Sequence, residues 1–485
     1  MMMMTMMILV PPILLCLLVT QVASVPILKQ VQVVTRHGAR TPLTKAATTL
    51  QEASATLTPI GQKHLYELGI WLKTKYAGLG VIDKYNTTFV RLESSDYDRT
   101  IVSALMLAQG LFSGRPSNEL LPTSARNTDI PVYTNIKVND ITIRAYDKCP
   151  PFLEKLVDLY ASEPFLAIEH DHSPLLTFLA NVSDFQSYVV EHTIPLSNIW
   201  NVYDAMNVAD TECAANFSST SCQALANPSL ATLLNDTQWT ELQSIANYAE
   251  LAKYRQTGGK LLGSNLLRKI YTTMNTATSS KKRKLQSKST DVMQTFILYS
   301  AHYPTILGLL NSMGESDLKI DVIPNYATAL IFELYADNET LQDTVVTYYK
   351  AGLQNSTETL VLKSVCAGQV FCPLESFGQI ISTGVAGATT AEDWCTECSN
   401  DSADVCLKAK LTALTTASNT VPVCSNKSVN NGIIAGTFFG GLAVGVGVML
   451  LSVWLYSVQK QQKDTHSPGK EGDPQVEYGD AIVSG

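Results

Sequence analysis

The spacing of apolar residues changes along this chain, and each change of period predicts an element. Val31, Val33 and Val34 are β-branched and apolar, which suits a strand buried in a sheet. Thr58 before Pro59 reads as the cap and first position of a helix. Its apolar face recurs at Leu65, Leu68, Leu72 and Tyr76. Phe89 to Leu92 predicts a second strand, and Asp96 and Asp98 introduce a helix apolar at Ile101, Leu105, Ala108 and Phe112. Helical spacing returns over Asp236–Tyr254 and Leu261–Met274, inside a long stretch from Pro150 to Lys288. Thr295–Tyr299 is again a buried strand and leads to His302; Ile331–Tyr335 and Thr344–Tyr349 predict an antiparallel pair.

The two ends carry apolar blocks of another kind. Ile8 to Val19 has the length of a signal-peptide core, and small residues follow at Val22-Ala23-Ser24, so cleavage after Ser24 would remove residues 1–24. Ile433 to Tyr456 holds no charged residue and is long enough to span a bilayer. Trp454 and Tyr456 stand where an aromatic belt would lie, and Lys460 and Lys463 follow while only Lys427 closely precedes. That bias predicts a type I single-pass membrane protein, with its C-terminus cytosolic and its bulk lumenal or extracellular. Gly436-x-x-x-Gly440 and Gly441-x-x-x-Gly445 would let two such helices approach as a homodimer; glycine is also simply common in spans. The tail 457–485 is polar, and its Tyr478 lacks the bulky fourth residue of a tyrosine sorting signal.

Composition narrows the setting. With 43 acidic and 35 basic residues the net charge is −8, which excludes nucleic acid as an expected partner. The basic run Lys281-Lys282-Arg283-Lys284 sits in a Ser/Thr-rich stretch and reads as a solvated loop. Cys16 leaves with the signal, and the remaining nine cysteines read as disulfides in a secreted chain. Cys395-x-x-Cys398 lacks a matching second pair, so no metal and no cofactor is expected. Asn86, Asn181, Asn216, Asn235, Asn338, Asn355, Asn400 and Asn426 each begin a glycosylation acceptor triplet.

The chemistry gathers where the first strand ends, in Thr35-Arg36-His37-Gly38-Ala39-Arg40-Thr41-Pro42. Arg36 and Arg40 each present a planar fork of donors suited to phosphate oxygens. His37 lies between them and can act as nucleophile or proton carrier. Arg99 falls where the first turn of a helix also favours an anion. His170-Asp171-His172 lacks the two-histidine helical ligand spacing and reads as a solvated helix end.

Arg36-His37-Gly38-Ala39-Arg40-Thr41-Pro42 resembles the active-site signature of the histidine acid phosphatases, branch two of the histidine phosphatase superfamily. Leu57–Gly61, Ser94–Thr100, Tyr299–His302 and Cys372–Glu375 extend the resemblance, in order, over Val25 to Cys398. It implies an α/β fold, a central mixed sheet with helices on both faces. The core would comprise 25–149 and 289–398, with a helical cap at 150–288 shaping the entrance. A glycosylated stalk at 399–430, the span 433–456 and the tail 457–485 would follow. It implies catalysis by His37 and His302, with Arg36, Arg40 and Arg99 binding substrate, a phosphohistidine intermediate on His37, and no metal. It also implies the disulfides Cys149–Cys398 and Cys366–Cys372. A third bridge of the family would need a cysteine near Ala329, so a local loop with Cys222 is open to Cys213 instead. Nine being odd, one thiol is left free or paired with another chain.

One position departs from the family pattern. An acid usually follows the second histidine; here Tyr303 does. A phenol of pKa about 10 matches acid or neutral operation poorly as a proton donor. Another carboxylate could take over, Glu93 and Asp96 being near a second motif. Two functions follow: a membrane-bound acid phosphatase hydrolysing phosphomonoesters outside the cell or in the endosomal and lysosomal lumen, or a phosphatase-fold glycoprotein that binds phosphorylated ligands with little turnover. His37 and the arginines favour the first; Tyr303 favours the second.

Overall fold

The computed structural model describes residues 26–82, 85–112, 130–213, 220–283, 294–314, 320–336, 342–353, 358–362, 366–384 and 386–419. The chain forms two units, Met1–Leu414 and Thr415–Gly485. The fold below is that of the first. The expected signal, the span 433–456 and the tail lie outside the described residues. No helix among those described is long and apolar enough to cross a membrane.

The sheet is built from β1 (Ile27–Arg36), β2 (Val90–Ser94), β3 (Val132–Thr134), β4 (Phe296–Ala301), β5 (Ala329–Ala336), β6 (Asp343–Lys350), β7 (Glu358–Val361) and β8 (Cys372–Pro373). Their order is β3-β2-β4-β1-β5-β6-β7, with β8 also on β6. The β3-β2-β4-β1 half is parallel, and β5, β6 and β7 continue antiparallel. This is the expected central mixed sheet.

Strand alternation divides the interior into two layers. Val31, Val33, Phe296, Leu298 and Ile331 point to one face, covered by α1 (Pro59–Tyr76) and α2 (Asp98–Phe112). Val34, Ile297, Tyr299, Leu330 and Phe332 point to the other. Thr58 caps α1 as expected, its side chain accepting from the Gly61 amide. The buried face of α2 is Ala104, Leu107, Ala108 and Leu111: Ala108 is buried as expected, while Ala104 and Leu111 take the places expected for Leu105 and Phe112. That helix is apolar on most sides, so periodicity alone did not choose its face.

Between β3 and β4 the chain forms α3 (Pro150–Tyr160), α4 (Glu163–Asp171), α5 (Ser173–Ala180), α6 (Ile199–Cys213), α7 (Thr220–Leu225), α8 (Asp236–Gln256) and α9 (Leu261–Arg283). Leu176, Ile199, Val202, Leu242 and Ile245 give this stretch a core of its own. α9 passes beneath the sheet, together with α10 (Tyr303–Ser312) and α11 (Leu374–Ser382). α12 (Ala391–Glu397) and α13 (Asp404–Asn419) follow, so part of the stretch read as stalk is helical.

Lys281 to Arg283 belong to α9, which corrects the loop reading; helical spacing simply outlasts the change to polar residues. His172 closes α4 and meets Glu241 at 2.7 Å, while the His170 side chain is exposed. Cys149–Cys398 and Cys366–Cys372 are bridged, as is the Cys213–Cys222 alternative. Cys395–Cys406 is a fourth bridge, which spacing did not reveal. Cys424 lies outside the described residues. Asn86, Asn181 and Asn235 are exposed. Asn400 is buried, its amide donating to Lys148 O at 2.8 Å, so this triplet is a structural turn and not an accessible acceptor.

Gly38 and Gly61 are explained by space. A Cβ on Gly38 would stand 2.1 Å from Gly61 O, and one on Gly61 would stand 1.9 Å from Ala39 O. The turn after β1 therefore lies directly against the start of α1. Gly61→Ala is expected to destabilise the fold by roughly 1–3 kcal/mol, the usual range for overpacking, and to shift the turn that carries His37. A lower thermal midpoint together with weakened phosphate binding is the expected readout.

Candidate active site

The register of the parallel strands brings the two histidines together. Arg36 is the partner of Ala301 across β1 and β4, so His37 and His302 are the next residues out at one edge of the sheet. The His37 amide still bonds Ala301 O at 3.1 Å. The rings meet edge to face at 5.5 Å between centroids. β2 ends level with them, Ser94 beside Ser300, which sends Ser95 and then Arg99 in the first turn of α2 to the same edge. Ser95 Oγ lies 2.8 Å from His302 Nε2. The carboxyl ends of parallel strands are where open α/β sheets bind ligands.

His37 Nδ1 lies 2.8 Å from Gly38 O. A carbonyl can only accept, so Nδ1 carries the proton and Nε2 keeps its lone pair. Burial pushes the His37 pKa well below its ordinary 6.5, and the charges of Arg99, Arg36, His302 and Arg40 push the same way. His302 is shifted well down too, by burial and then by Arg144, Arg99, Arg40 and Arg36. Nitrogens of Arg99 and Arg144 stand 3.5 and 3.4 Å from its two ring nitrogens. Guanidinium groups only donate, so they favour a neutral ring.

Four buried arginines thus surround the pair. Arg40 is held by Asp204 of α6 in a two-pronged contact at 2.9 and 2.8 Å. Burial would lower its pKa, but the charge and hydrogen bond of Asp204, together with Tyr326 and Glu52, outweigh that and the net shift is upward. Arg36 donates to Pro324 O and lies 4.2 Å over the Tyr326 ring. Arg99 and Arg144 share one oxygen of Glu52, at 2.5 and 3.0 Å, and Arg144 also pairs with Asp147. The Nε atoms of Arg36, Arg40 and Arg99 are buried with no acceptor among the described residues. Donors in such number around a neutral imidazole fit a tetrahedral oxyanion.

Glu52 arrives on a folded loop. The chain leaves at Arg40 and returns at Leu57, bridged there and again at Lys45 with Glu52. Opposed residues of an antiparallel pair project to the same face, so this loop delivers an acid and a base together. Burial works against the Glu52 charge, yet Arg144 and Arg99, with Lys45 and Arg40, hold its carboxyl at about 2.

Lys45 reaches the residue that departs from the family pattern. Its Nζ lies 2.6 Å from the Tyr303 hydroxyl and 2.9 Å from Glu250. Tyr303 donates to Glu250 at 2.6 Å, and Lys253 pairs with the other Glu250 oxygen. Burial and then the Glu250 charge push the Tyr303 phenol well above 10. It is therefore no makeshift acid. Glu93, one of the two expected substitutes, is engaged by Arg91 and Lys269. Asp96 stands partly buried in the turn before α2.

His37, His302, Arg36, Arg40 and Arg99 are all brought to one place. Glu52, Arg144, Asp204 and Tyr326 were not foreseen. The available signal was an arginine set between the apolar Ile143 and Ala145, and charges in the loop after Pro42 that no local pattern explains.

The motif's setting has counterparts. A family model described as Histidine phosphatase superfamily (branch 2) matches residues 27–350. Prostatic acid phosphatase of Mus musculus is 27% identical over 383 residues, covering 76% of this chain and 89% of the relative. Lysosomal acid phosphatase of Homo sapiens is 27% identical over 378 residues, covering 76% and 80%. Among solved structures, Hafnia alvei phytase in complex with myo-inositol hexakis sulphate matches with a TM-score of 0.51 at 15% identity, covering 76% of this chain and 98% of that one. That last likeness shows the fold alone.

Tyr303→Phe removes a hydroxyl shared by two buried charges. Hydrogen bonds to charged groups contribute about 1.5–3 kcal/mol, so the variant is expected to lose roughly that much stability. The ratio of alkyl to aryl phosphate turnover should stay as in the wild type. A selective loss on alkyl phosphates would show the phenol to be a proton donor after all.

Proposed function

The chain belongs to the histidine phosphatase superfamily, branch 2, and is a phosphatase; from that premise we propose that it is an acid phosphatase acting on phosphomonoesters through a phosphohistidine on His37. The observation that carries this is the hydrogen bond from His37 Nδ1 to Gly38 O. It leaves Nε2 unprotonated in the field of Arg36, Arg40 and Arg99, as an attacking nitrogen requires. Nε2 attacks phosphorus in line with the leaving oxygen, the P–O bond breaks, and water later displaces the histidine. Arg36, Arg40, Arg99 and His302 hold the equatorial oxygens, and fixed donors of this kind supply most of the help phosphoryl transfer needs. The arginines take over the charge neutralisation that a metal would provide. Of the two functions read from the sequence, family membership favours the enzyme.

The same reading extends to the rest of the chain. The helices α3 to α8 form a cap over the substrate entrance. Residues 433–456 anchor the enzyme as a type I membrane protein, with the phosphatase lumenal or extracellular. The apolar block, its flanking charges and relatives named lysosomal acid phosphatase support this placement. The glycine spacing in the span supports a homodimer.

His37→Ala in the full-length protein is expected to abolish phosphate release while leaving the fold intact. Wild type quenched in alkali should hold phosphate on His37 in a form that is stable to base and released by acid. Full activity in the variant would sink the assignment. In sealed vesicles a tag at the C-terminus should be cut by added protease while the phosphatase is protected; protection of both would contradict the orientation.

A further inference from the structure

A phosphomonoester with an alkyl leaving group departs as a strongly basic alkoxide unless a proton reaches it, so a site that cleaves such esters needs a donor. Few groups here qualify. His37 and His302 are buried neutral among arginines. Tyr303 spends its hydroxyl hydrogen bond on Glu250, which is itself enclosed by Lys45 and Lys253. Asp204 is committed to Arg40 and to the Leu43 amide. Glu212 accepts from Thr58, the cap of α1, and bonds none of the site's arginines or histidines. Glu52 differs from all of these. One of its oxygens touches both Arg99 and Arg144, the two arginines set against the two ring nitrogens of His302.

We propose that Glu52 is the proton donor to the leaving oxygen and, in the second step, the base that receives the proton of the attacking water. This rests on the phosphatase reading above. In the free enzyme Glu52 occupies the donors that a phosphate would take, and Arg144 and Arg99 keep it ionised. A phosphate entering on those arginines meets their charge itself. It also sets negative charge beside the carboxyl, and both effects favour protonation of Glu52. The proton comes from solvent or from the substrate monoanion.

In the first step Nε2 of His37 bonds to phosphorus and the ester P–O bond breaks. The Glu52 proton moves to the departing oxygen, giving the alcohol and a carboxylate. In the second step water bonds to phosphorus and the N–P bond returns its electron pair to Nε2. One water proton goes to Glu52, and inorganic phosphate leaves. The loop from Arg40 to Leu57 is joined to itself by bridges at Arg40 with Leu57 and Lys45 with Glu52. These bridges keep the Glu52 carboxyl beside the arginines when phosphate takes its place on them.

The test compares glycerol 2-phosphate and 4-nitrophenyl phosphate on full-length wild type, Glu52→Gln and Glu52→Asp. Glu52→Gln should lower turnover of the alkyl ester by roughly 10²–10⁴-fold, the usual worth of general acid catalysis. The first burst of 4-nitrophenolate should stay within about tenfold of wild type, because that leaving group needs little protonation. Phosphohistidine should accumulate in the variant, because the second step has lost its base. Glu52→Asp should restore part of the alkyl activity. If Glu52→Gln instead speeds both substrates and tightens inhibition by inorganic phosphate, Glu52 is only a competing anion and the proposal is overturned. Equal losses on both esters with no trapped phosphohistidine would overturn it too. Absence of phosphate release from either ester by the wild type would instead remove the phosphatase reading, and this inference with it.

Discussion

Four guanidinium groups buried around two imidazoles are a concentration of like charge that the fold must hold together. Two unit charges at 4 Å interact by about 4 kcal/mol at an effective dielectric constant of 20, and the site holds several such neighbours. Each of three arginines is therefore matched: Arg40 by Asp204, and Arg99 and Arg144 by Glu52. Arg36 has a carbonyl and an aromatic face instead. The position of α6, which carries Asp204, and the return of the loop that carries Glu52 both answer to this requirement. The helical stretch and the sheet are thus joined through charge at the place where the chemistry occurs.

A second charged cluster lies behind the first and accounts for Tyr303. Lys45 projects from the same loop as Glu52, but reaches Glu250 and the phenol. A carboxylate at position 303 would have to share Lys45 with Glu250, and two acids on one cation repel. A phenol can donate to Glu250 and accept from Lys45, which satisfies both neighbours without adding charge. Tyr303 and the arginine cluster are thus both served by the loop between Arg40 and Leu57, the first through Lys45 and the second through Glu52.

The strand of valines, the cap at Thr58 and the turn with its two arginines were legible because each rests on local chemistry: β-branching, a side-chain acceptor, a run of donors. Arg99 was legible because a helix start leaves amides free for an anion. Asp204, Glu52 and Arg144 were not, because a buried counter-ion has no local signature; Asp204 stands 164 residues from Arg40. Gly38 lies in the legible motif, but its need for space against Gly61 is not written in that motif. Asn400 matched a glycosylation triplet and is instead the buried hinge of a turn. Short motifs describe what a residue type can do, and burial decides which of those things it does.

Both kinds of acid–base group in this interior are depressed, and both lose stability as pH falls, but over different ranges. Glu52 and Glu250 are held at about 2 against an ordinary 4.5. Their contribution to stability is full above about 4.5 and is lost only as pH falls through about 2. His37 and His302 are depressed below 6.5. The unfolded chain takes up protons near 6.5 that these rings refuse, so their share of stability is full above that pH and is lost as pH falls through the folded values. Between about 4.5 and 6.5, then, the carboxylate pairs stay intact while the histidines weaken the fold. Yet a neutral His37 is what an attacking nitrogen needs, and the arginines that help burial to keep it neutral in acid are, in the proposed function, those that receive phosphate. Anion binding to the folded state alone stabilises it by mass action. A bound phosphate therefore offsets, on the same arginines, the stability that a neutral nucleophile costs in acid.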